Sequence, residues 1–450
     1  MSEDKNLDSM EAMLTKAGDI EAAFSDNEDV FVTEDTTDAL RIIQAGGNGV
    51  AVGYDGHENI KEYKGKLPSR VYIVASETIF GEEAAKRIKQ AFKGHGKAAT
   101  ILHTPRPYGS LQELIEKDEA LLRRLLMGNE WEVYEYEQTT SAGAYLDGFW
   151  EDVQAKTPAI QTGFSKLDKE FGGGIYEGLY IVGAVSSLGK TTFCLQLADQ
   201  LAFIGHDVII FSLEMARYEL MAKSLSRLTL QLSGGLDNPS MTKTAKTARA
   251  LTDPARVAQF DFIERNLIDA ATKEYSGFAS HLWINEGMGT IGTAQIRDFI
   301  KKHIEIKGNV PIVFIDYLQI LASPDPRMTD KQATDRNVFE LKRISREFKC
   351  PIIAVSSFNR DNYTAALNMA AFKESGAIEY SSDVLIGLQP KGMTDMGGDK
   401  GKAENAKTLD ACKTSPERLI ELKILKNRHG KTNGTIDYRY IPMFNYFEEE

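Results

Sequence analysis

The chain has 450 residues, 42% of them hydrophobic, and carries a formal net charge of −12 at pH 7. This length accommodates two or three domains with buried cores. No apolar run approaches the length of a membrane span, and the three cysteines form no C-x-x-C pair, which argues against a zinc ribbon and a disulfide framework. We therefore expect a soluble protein of the reducing cytoplasm.

The acidic charge is concentrated at the two ends of the chain. Residues 1–29 hold nine acidic residues against two lysines, and three glutamates end the sequence. The remainder is close to neutral, so the net charge does not exclude a local basic groove for a nucleic acid. We expect residues 1–28 to form an acidic, poorly ordered tail.

Strand and helix patterns alternate over residues 29–128. VFVTEDTTDALRIIQAG predicts a strand followed by a helix that ends at a glycine. RVYIVA and AATILHT predict two further strands, each followed by a helical pattern. This alternation predicts a small parallel α/β domain. Residues 129–159 predict a connector with one amphipathic helix near GAYLDGFWEDVQ.

The same alternation restarts with larger units over residues 160–450, which indicates a second α/β domain. Antiparallel strands with an Asn-Gly-type turn are expected near the end of the chain. The strands predicted before them are Leu179–Ala184, Asp207–Phe211, His281–Asn285, Pro311–Ile315, Pro351–Val355 and Asp383–Leu388.

The segment GAVSSLGKTTF, residues 183–193, joins a predicted strand to a predicted helix. It matches the phosphate-loop pattern G-x-x-x-x-G-K-[ST], except that Ala184 replaces the first glycine, which is tolerable where φ is negative. Backbone N–H groups of such a loop bind phosphate oxygens. We predict that Lys190 contacts the β- and γ-phosphates and that Thr191 binds Mg²⁺. The predicted nucleotide-binding residues are Ala184, Ser186, Ser187, Gly189, Lys190, Thr191 and Thr192.

Two carboxylates follow other predicted strands of this domain. Asp316 ends the apolar run in PIVFIDYLQIL, where an Mg²⁺-side acid of a phosphate-loop ATPase is expected. Glu214 follows the strand in DVIIFSLEM. It could polarise the attacking water as a general base, or it could be a helix N-terminal carboxylate stabilised by the helix dipole.

Seven stretches from residue 160 onward resemble the RecA-type motor domain of DnaB-family replicative helicases. They follow the family order: TGFSKLDKEFGGGIYEGLYIVGA, SSLGKTTF, VIIFSLEM, FIDYLQIL, FNRD, KESGAIEYSSDVLIGL and ILKNRHGKTNG. The resemblance implies a RecA-like P-loop ATPase core that uses ATP and Mg²⁺ to move on single-stranded DNA, 5′ to 3′, and to unwind a duplex. A primase or a helicase loader is a further partner that it suggests.

The resemblance also implies roles for individual residues. Lys190 and Thr191 correspond to the phosphate and Mg²⁺ residues, and Glu214 to the catalytic base. Lys426 and Arg428 in KNRHG correspond to the pair that reaches into the ATP site of a neighbouring subunit, which implies a ring, a hexamer as in the family.

The chain departs from the family at two positions and leaves its DNA contacts less defined. Ser357 stands where the family usually has a glutamine that couples the γ-phosphate to DNA, and Lys373 replaces an arginine and its bidentate fork. Loops after the Asp316 and Ser356 strands face the ring channel in this fold, and cations there can track a phosphate backbone. The candidate DNA contacts are Arg327, Lys331, Arg336, Arg360 and Lys373, each of which could also be an ordinary surface charge.

Residues 29–128 resemble a Toprim domain, the metal-binding fold of bacterial-type primases and topoisomerases. VFVTEDTTDAL places Glu34 at the catalytic glutamate, but VYIVASETIFG places Ser76 and Thr78 where two acids normally stand, and YGSLQEL offers Ser110 for a third. Mg²⁺ beside phosphate requires carboxylate oxygens. We therefore predict that this domain does not prime, and that the chain resembles a phage- or mobile-element-type primase–helicase whose Toprim domain has lost its acids.

Two other functions remain compatible with the sequence. One is a RecA-like recombinase or regulatory ATPase, although strand-exchange proteins lack the FSLEM, ESGAIE and KNRHG combination. The other is a replication scaffold that binds ATP without useful turnover, which Ser357 and the depleted Toprim motifs favour.

Overall fold

The chain divides into two compact units, Met1–Lys156 and Thr157–Glu450. Within the part of the chain that the structure covers, no helix combines the length and the apolarity needed to cross a bilayer. The structure, a computed structural model, describes residues 13–25, 29–53, 55–76, 79–127, 130–146, 149–150, 153, 158–235, 242–287, 291–359, 362–372, 376–395 and 398–450.

The first unit is a small parallel α/β domain, as the sequence predicts. Its four strands lie in the order β2–β1–β3–β4 and are all parallel. The sequence patterns do not predict β2 and α3, because a three-residue strand is too short to show a periodicity. The elements are α1 (Ile20–Ser25), β1 (Asp29–Thr33), α2 (Thr36–Gln44), β2 (Gly49–Ala51), α3 (Gly56–Glu62), β3 (Arg70–Ala75), α4 (Ile79–Gly94), β4 (Thr100–His103), α5 (Leu111–Leu126) and α6 (Glu130–Thr140).

Both faces of this sheet carry a hydrophobic core, which corrects two expectations about its ends. On one face Phe24 of α1 packs on Phe92, so the acidic stretch is not poorly ordered throughout, although residues 1–12 and 26–28 lie outside the described residues. On the other face Trp131 stacks on Phe31 with ring centroids 5.9 Å apart. Helix α6 therefore belongs to the first unit and not to a connector that begins at residue 129.

The second unit is built around one nine-stranded sheet. Its elements are α7 (Ser165–Glu170), β5 (Gly178–Ala184), α8 (Lys190–Phe203), β6 (Val208–Ser212), α9 (Arg217–Leu232), α10 (Ala248–Thr252), α11 (Pro254–Val257), α12 (Phe262–Phe278), β7 (Leu282–Glu286), α13 (Thr293–Lys307), β8 (Ile312–Asp316), α14 (Asp330–Phe348), β9 (Pro351–Ser357), α15 (Gly376–Ser381), β10 (Val384–Pro390), α16 (Gly398–Thr414), β11 (Arg418–Asn427), β12 (Thr435–Ile441) and β13 (Tyr446–Glu449).

The strand order of this sheet is β13–β12–β11–β10–β5–β9–β8–β6–β7. Strands β5 to β10 pair in parallel, and β11 to β13 extend the sheet in antiparallel fashion. Central strands such as β5 are buried on both faces and therefore have continuous apolar runs. All six predicted parallel strands are present, with boundaries shifted by at most two residues. Because β5 lies in the middle of the sheet, its carboxyl end meets those of β8, β9 and β6 at one edge.

Candidate active site

The phosphate loop follows β5 directly and enters α8 at Lys190. Ala184 is the buried last residue of β5 and pairs in register with Ser357, so its backbone is extended and a side chain is tolerated there. Ser187 and Gly189 have positive φ angles of 70° and 93°. The loop therefore needs glycine at its second conserved position but not at its first.

Strands of the antiparallel extension support the loop from behind. An ideal Cβ on Gly189 would lie 2.9 Å from atoms of the Tyr440 and Phe447 rings, which stack with their centroids 4.1 Å apart. The Arg418 guanidinium donates to the carbonyl oxygen of Ser187 at 2.6 Å. These contacts fix the loop while leaving Ser186 exposed.

Lys190 and Asp316 lie at the same edge of the sheet. The Lys190 Nζ donates to the carbonyl oxygen of Ala184 at 2.9 Å, across the loop that it closes. Burial lowers the pKa of Lys190, and the carboxylates of Asp316 and Glu214 oppose that shift. A lysine held in this position presents its charge to an anion bound by the loop.

Asp316 ends β8, and its carboxylate fits an Mg²⁺ ion. Both of its oxygens are buried and accept no hydrogen bond of ordinary geometry from the described residues. Burial raises the pKa of Asp316, and the nearby Thr191 hydroxyl opposes this shift. Asp316 and Thr191 would hold the ion, with phosphate and water oxygens as its other ligands. Within the described residues no three or more His, Cys, Asp or Glu side chains form a metal cluster.

Glu214 lies beside this pair on the neighbouring strand end. Leu213 N–H donates to the carbonyl oxygen of Asp316 at 2.8 Å, which places Glu214 next to the carboxyl end of β8. Glu214 is not the carboxylate at the N-terminus of the next helix. Helix α9 begins at Arg217, and Glu219 is the residue whose carboxylate accepts from the backbone N–H of Ala216 at that terminus. The exposed Glu214 carboxylate is thus placed to act on a water at the edge of the sheet.

Lys223 is a further cation near Asp316 that the sequence motifs do not single out. It is half-buried on α9, burial lowers its pKa, and the Asp316 carboxylate opposes that shift. The sequence does contain a signal for this position, which is its helical spacing. Leu220, Lys223 and Arg227 are three and four residues apart, so two cations lie on the inward face of an amphipathic helix.

Lys426 and Arg428 lie at the opposite end of the sheet. The Lys426 Nζ donates to the carbonyl oxygen of Glu379 at 2.6 Å, and Arg428 Nη2 donates to that of Tyr380 at 3.1 Å. Leu422 is level with Ala184 through Leu388, with which both pair. Arg428 directly follows β11, and its N–H donates to the carbonyl oxygen of Asp383. Asp383 lies five residues before Leu388, about 17 Å away at 3.3 Å per residue. The pair therefore does not reach the phosphate loop of its own chain.

Three of the candidate DNA contacts fall within the described residues. Arg327 pairs with Asp325 at 2.6 Å, Arg336 pairs with a glutamate one helical turn away, and Lys331 is exposed near the start of α14. All three lie after β8, on the loop or on α14. Arg360 and Lys373 lie outside the described residues. Ser357 is half-buried at the end of β9.

The candidate Toprim positions of the first unit have structural contacts. Ser110 caps α5 by accepting from Glu113 N–H at 3.1 Å. Ser76 packs so closely on Gly81 that a Cβ on Gly81 would lie 1.9 Å from its Oγ. Glu34 follows β1 and is half-buried. Thr78 lies outside the described residues.

Comparison with known proteins identifies the second unit. Residues 159–449 match the family model of the DnaB-like helicase C terminal domain. The chain is 28% identical over 320 residues to the replicative DNA helicase DnaB of Helicobacter pylori, covering 64% of this chain and 59% of that protein. It is 27% identical over 296 residues to the replicative DNA helicase DnaC of Bacillus subtilis, covering 64% and 56%. The match thus spans less than two thirds of these relatives.

Two solved structures share the fold. One is an ATPase domain, with a TM-score of 0.54 and 20% identity over 68% of this chain and 98% of that chain. The other is a DnaB-like replicative helicase described with its interactions with primase, with a TM-score of 0.54 and 18% identity over 83% and 80%. The RecA-like α/β architecture of the second unit agrees with both. Since the family model covers well over half of its residues, the chain belongs to the DnaB-like helicase C-terminal domain family.

Proposed function

We propose that this chain is an ATP-hydrolysing replicative DNA helicase that forms a ring and moves on single-stranded DNA. The observation that carries this proposal is the meeting of Lys190, Thr191, Asp316 and Glu214 at one edge of the sheet. Mg²⁺, when bound, neutralises charge on the β- and γ-phosphates. Lys190 and the loop N–H groups bind those phosphates, Asp316 and Thr191 hold the ion, and Glu214 polarises the attacking water.

The position of Arg428 supports a ring. It lies about 17 Å along the strand direction from the phosphate loop of its own chain, by the strand rise, and 46% of its side chain is exposed. An arginine finger stabilises transition-state charge only when it reaches the γ-phosphate. Arg428 therefore serves the site of another subunit, and we propose a hexamer in which each interface holds one complete site.

We propose that the ring contacts DNA through the segment after β8. Arg327, Lys331 and Arg336 are exposed cations on this segment, although the first and last have carboxylate partners that DNA phosphates would have to replace. Such contacts bind any sequence and weaken with salt. Arg360 and Lys373 remain predicted members of the same surface, 5′ to 3′ remains the predicted polarity, and a primase or a loader remains the predicted further partner.

We further propose that the first unit is a Toprim-like domain without primase activity. Its parallel sheet supports the fold, and the capping role of Ser110 and the packing of Ser76 on Gly81 support the loss of the metal site. The test is primer synthesis by the full chain on single-stranded DNA with Mg²⁺ and ribonucleotides. No primers are expected, and primer synthesis that Glu34→Gln abolishes would overturn this part of the proposal.

The decisive experiment is ATP turnover by the purified chain, with and without single-stranded DNA, beside Lys190→Ala. We expect turnover that DNA stimulates and that Lys190→Ala removes, and unwinding of a forked duplex by the unaltered protein. Lys391→Ala is the matched control, because this exposed lysine pairs with Asp437 at 2.8 Å on the antiparallel extension. Binding of ATP without turnover under either condition would instead identify a replication scaffold, and open filaments in place of rings would favour a recombinase.

A further inference from the structure

Asp383 is a buried carboxylate between the strand that leads to the phosphate loop and the predicted finger. Asp383 immediately precedes β10, and its side chain is 5% exposed. The Oδ2 atom accepts from Leu179 N–H at 2.7 Å, and an ideal Cβ on Gly178 would lie 2.8 Å from the same oxygen. The carboxylate is therefore fixed against the first residues of β5.

Two cations share this carboxylate. Lys342 of α14 forms an ion pair with Oδ2, and Arg428 Nη1 lies 3.7 Å from Oδ1. Lys342 is mostly buried, whereas nearly half of the Arg428 side chain is exposed. A buried carboxylate requires such partners, because an unpaired charge in the protein interior is strongly unfavourable. Lys342 thus neutralises the Asp383 charge in the protein interior, and Arg428 contacts the same carboxylate from the surface.

The backbone beside Arg428 is bound to the same residue. Arg428 N–H donates to the carbonyl oxygen of Asp383 at 3.0 Å, and Arg428 Nη2 donates to that of Tyr380 at 3.1 Å. Asp383 therefore orients both ends of Arg428, its main chain and its guanidinium. These contacts restrict a long side chain that would otherwise lose much rotamer freedom on entering a neighbouring site.

We propose that Asp383 is a positioning residue that holds Arg428 in the orientation in which it enters the neighbouring ATP site. This inference rests on the proposed role of Arg428 as a finger supplied between subunits. Asp383 itself touches neither nucleotide nor metal. It acts because a small misplacement of a group that stabilises the transition state costs rate and leaves nucleotide binding intact.

The test is a double-mutant cycle of Asp383→Asn and Arg428→Ala, read as kcat for ATP and as Kd for a non-hydrolysable ATP analogue. Asparagine retains an acceptor for Leu179 N–H and removes the charge. We expect Asp383→Asn to lower kcat by about tenfold to a hundredfold with Kd unchanged, and to lower it no further when Arg428 is already alanine. Weaker analogue binding, or losses that multiply in the double variant, would mean that Asp383 acts through β5 and would overturn the proposal.

A second variant separates positioning from folding. Lys342→Met removes the internal partner and leaves the Arg428 contact in place. We expect it to change kcat by less than about threefold, because Lys342 pairs with Oδ2 of Asp383 whereas Arg428 faces Oδ1. A loss equal to that of Asp383→Asn would assign the effect to the Asp383–Lys342 pair and contradict the proposal. If Arg428→Ala alone leaves kcat unchanged, the proposed role of Arg428 as a finger is wrong. This outcome is distinct from a failure of the Asp383 proposal, in which Arg428→Ala lowers kcat and Asp383→Asn does not.

Discussion

The carbonyl oxygen of Ser187 accepts a hydrogen bond from Arg418 at 2.6 Å, although 231 residues separate the two. Arg418 also donates to the carbonyl oxygen of Lys413 at 2.7 Å, at the end of α16. Ser187 has a φ of 70°, a conformation that costs an L-residue about 1–2 kcal/mol. Arg418 thus stabilises a strained turn of the phosphate loop from outside the nucleotide site.

We expect Arg418→Ala to weaken MgATP binding by about tenfold, because a hydrogen bond from a charged group contributes roughly 1.5–3 kcal/mol and this one, which is exposed, lies at the low end of that range. Adding Ser187→Gly should recover part of the affinity, since glycine adopts this φ without strain. Isothermal titration with a non-hydrolysable ATP analogue measures both effects. The control is Arg439→Ala. This arginine lies on β12 and pairs with Glu448 of β13. Unchanged affinity in Arg418→Ala would show that the loop holds its own conformation.

Gly189→Ala should abolish nucleotide binding and lower stability, whereas Gly205→Ala at the other end of α8 should only lower stability. The two glycines have similar φ angles, 93° and 95°, but a Cβ on Gly205 meets nothing within 4 Å. The strain of a positive φ costs about 1–3 kcal/mol at either site, so the clash with Tyr440 and Phe447 is the difference between them. Thermal melting and analogue binding separate the two effects. Equal behaviour of the two variants would refute a tight fit behind the loop.

Arg428→Ala should leave analogue binding within about twofold and lower kcat by at least about a hundredfold, because a finger contributes roughly 10³–10⁵ to the rate. The physical reason is that Arg428 is remote from the phosphate loop of its own chain. Unchanged turnover would show that Arg428 is not the finger. Mixing Arg428→Ala with Lys190→Ala chains adds a control: interfaces that combine one intact site with one intact finger should recover turnover that neither variant has alone.

The sequence predicts the fold of the second unit well because buried parallel strands are continuous apolar runs between turns. Such local patterns place all six parallel strands within two residues of their observed bounds. They also single out Lys190 and Asp316, because Asp316 ends β8 and Lys190 begins the helix after the loop that follows β5. Short or polar elements are missed for the same reason: β2 has only three residues, and α16 carries a weak apolar pattern.

Contacts between distant segments are what the sequence does not reveal. Arg418 and Asp383 have ordinary neighbours in the sequence, and their roles arise only when β11 and β10 are placed beside β5. The connector is misjudged for a related reason. Nothing local indicates that Trp131, just past the last predicted helix, is 1% exposed and completes the core of the first unit.

Asp207→Asn should destabilise the protein in a pH-dependent manner. Asp207 accepts from His281 at 2.8 Å and from His303 at 3.1 Å. Burial raises the pKa of Asp207, but the hydrogen bonds of His281, His303 and Asn309 outweigh it and lower the pKa overall. A carboxyl with a lowered folded-state pKa stabilises the protein above its unfolded-state value of about 3.9, and this contribution is lost as the pH falls through the folded-state pKa.

The measurement is urea denaturation of the wild type and Asp207→Asn at pH 7 and at decreasing pH. We expect a loss of about 1–3 kcal/mol at neutral pH, and a difference that shrinks once the pH falls below about 4. Asp437→Asn, at an exposed ion pair, should change stability by less than about 1 kcal/mol. A difference for Asp207→Asn that is the same at every pH would mean that its charge does not contribute.

The connector after α6 should be required for the ring. Leu146, Phe149, Trp150 and Val153 follow a helical spacing of three, one and three residues, yet they are 67%, 52%, 67% and 37% exposed. An apolar stripe of this kind is stable in water when another surface covers it, and in the proposed ring we expect an adjacent subunit to supply that surface. Deleting residues 129–156 would be a poor test, because it would also remove Trp131 from the core of the first unit.

We expect Phe149→Ser with Trp150→Ser to convert hexamers to smaller species in size-exclusion chromatography with light scattering. The control is Val133→Ser, at a 57% exposed position of α6, which should leave the hexamers intact. Hexamers that persist in the double variant would exclude the connector from the subunit interface.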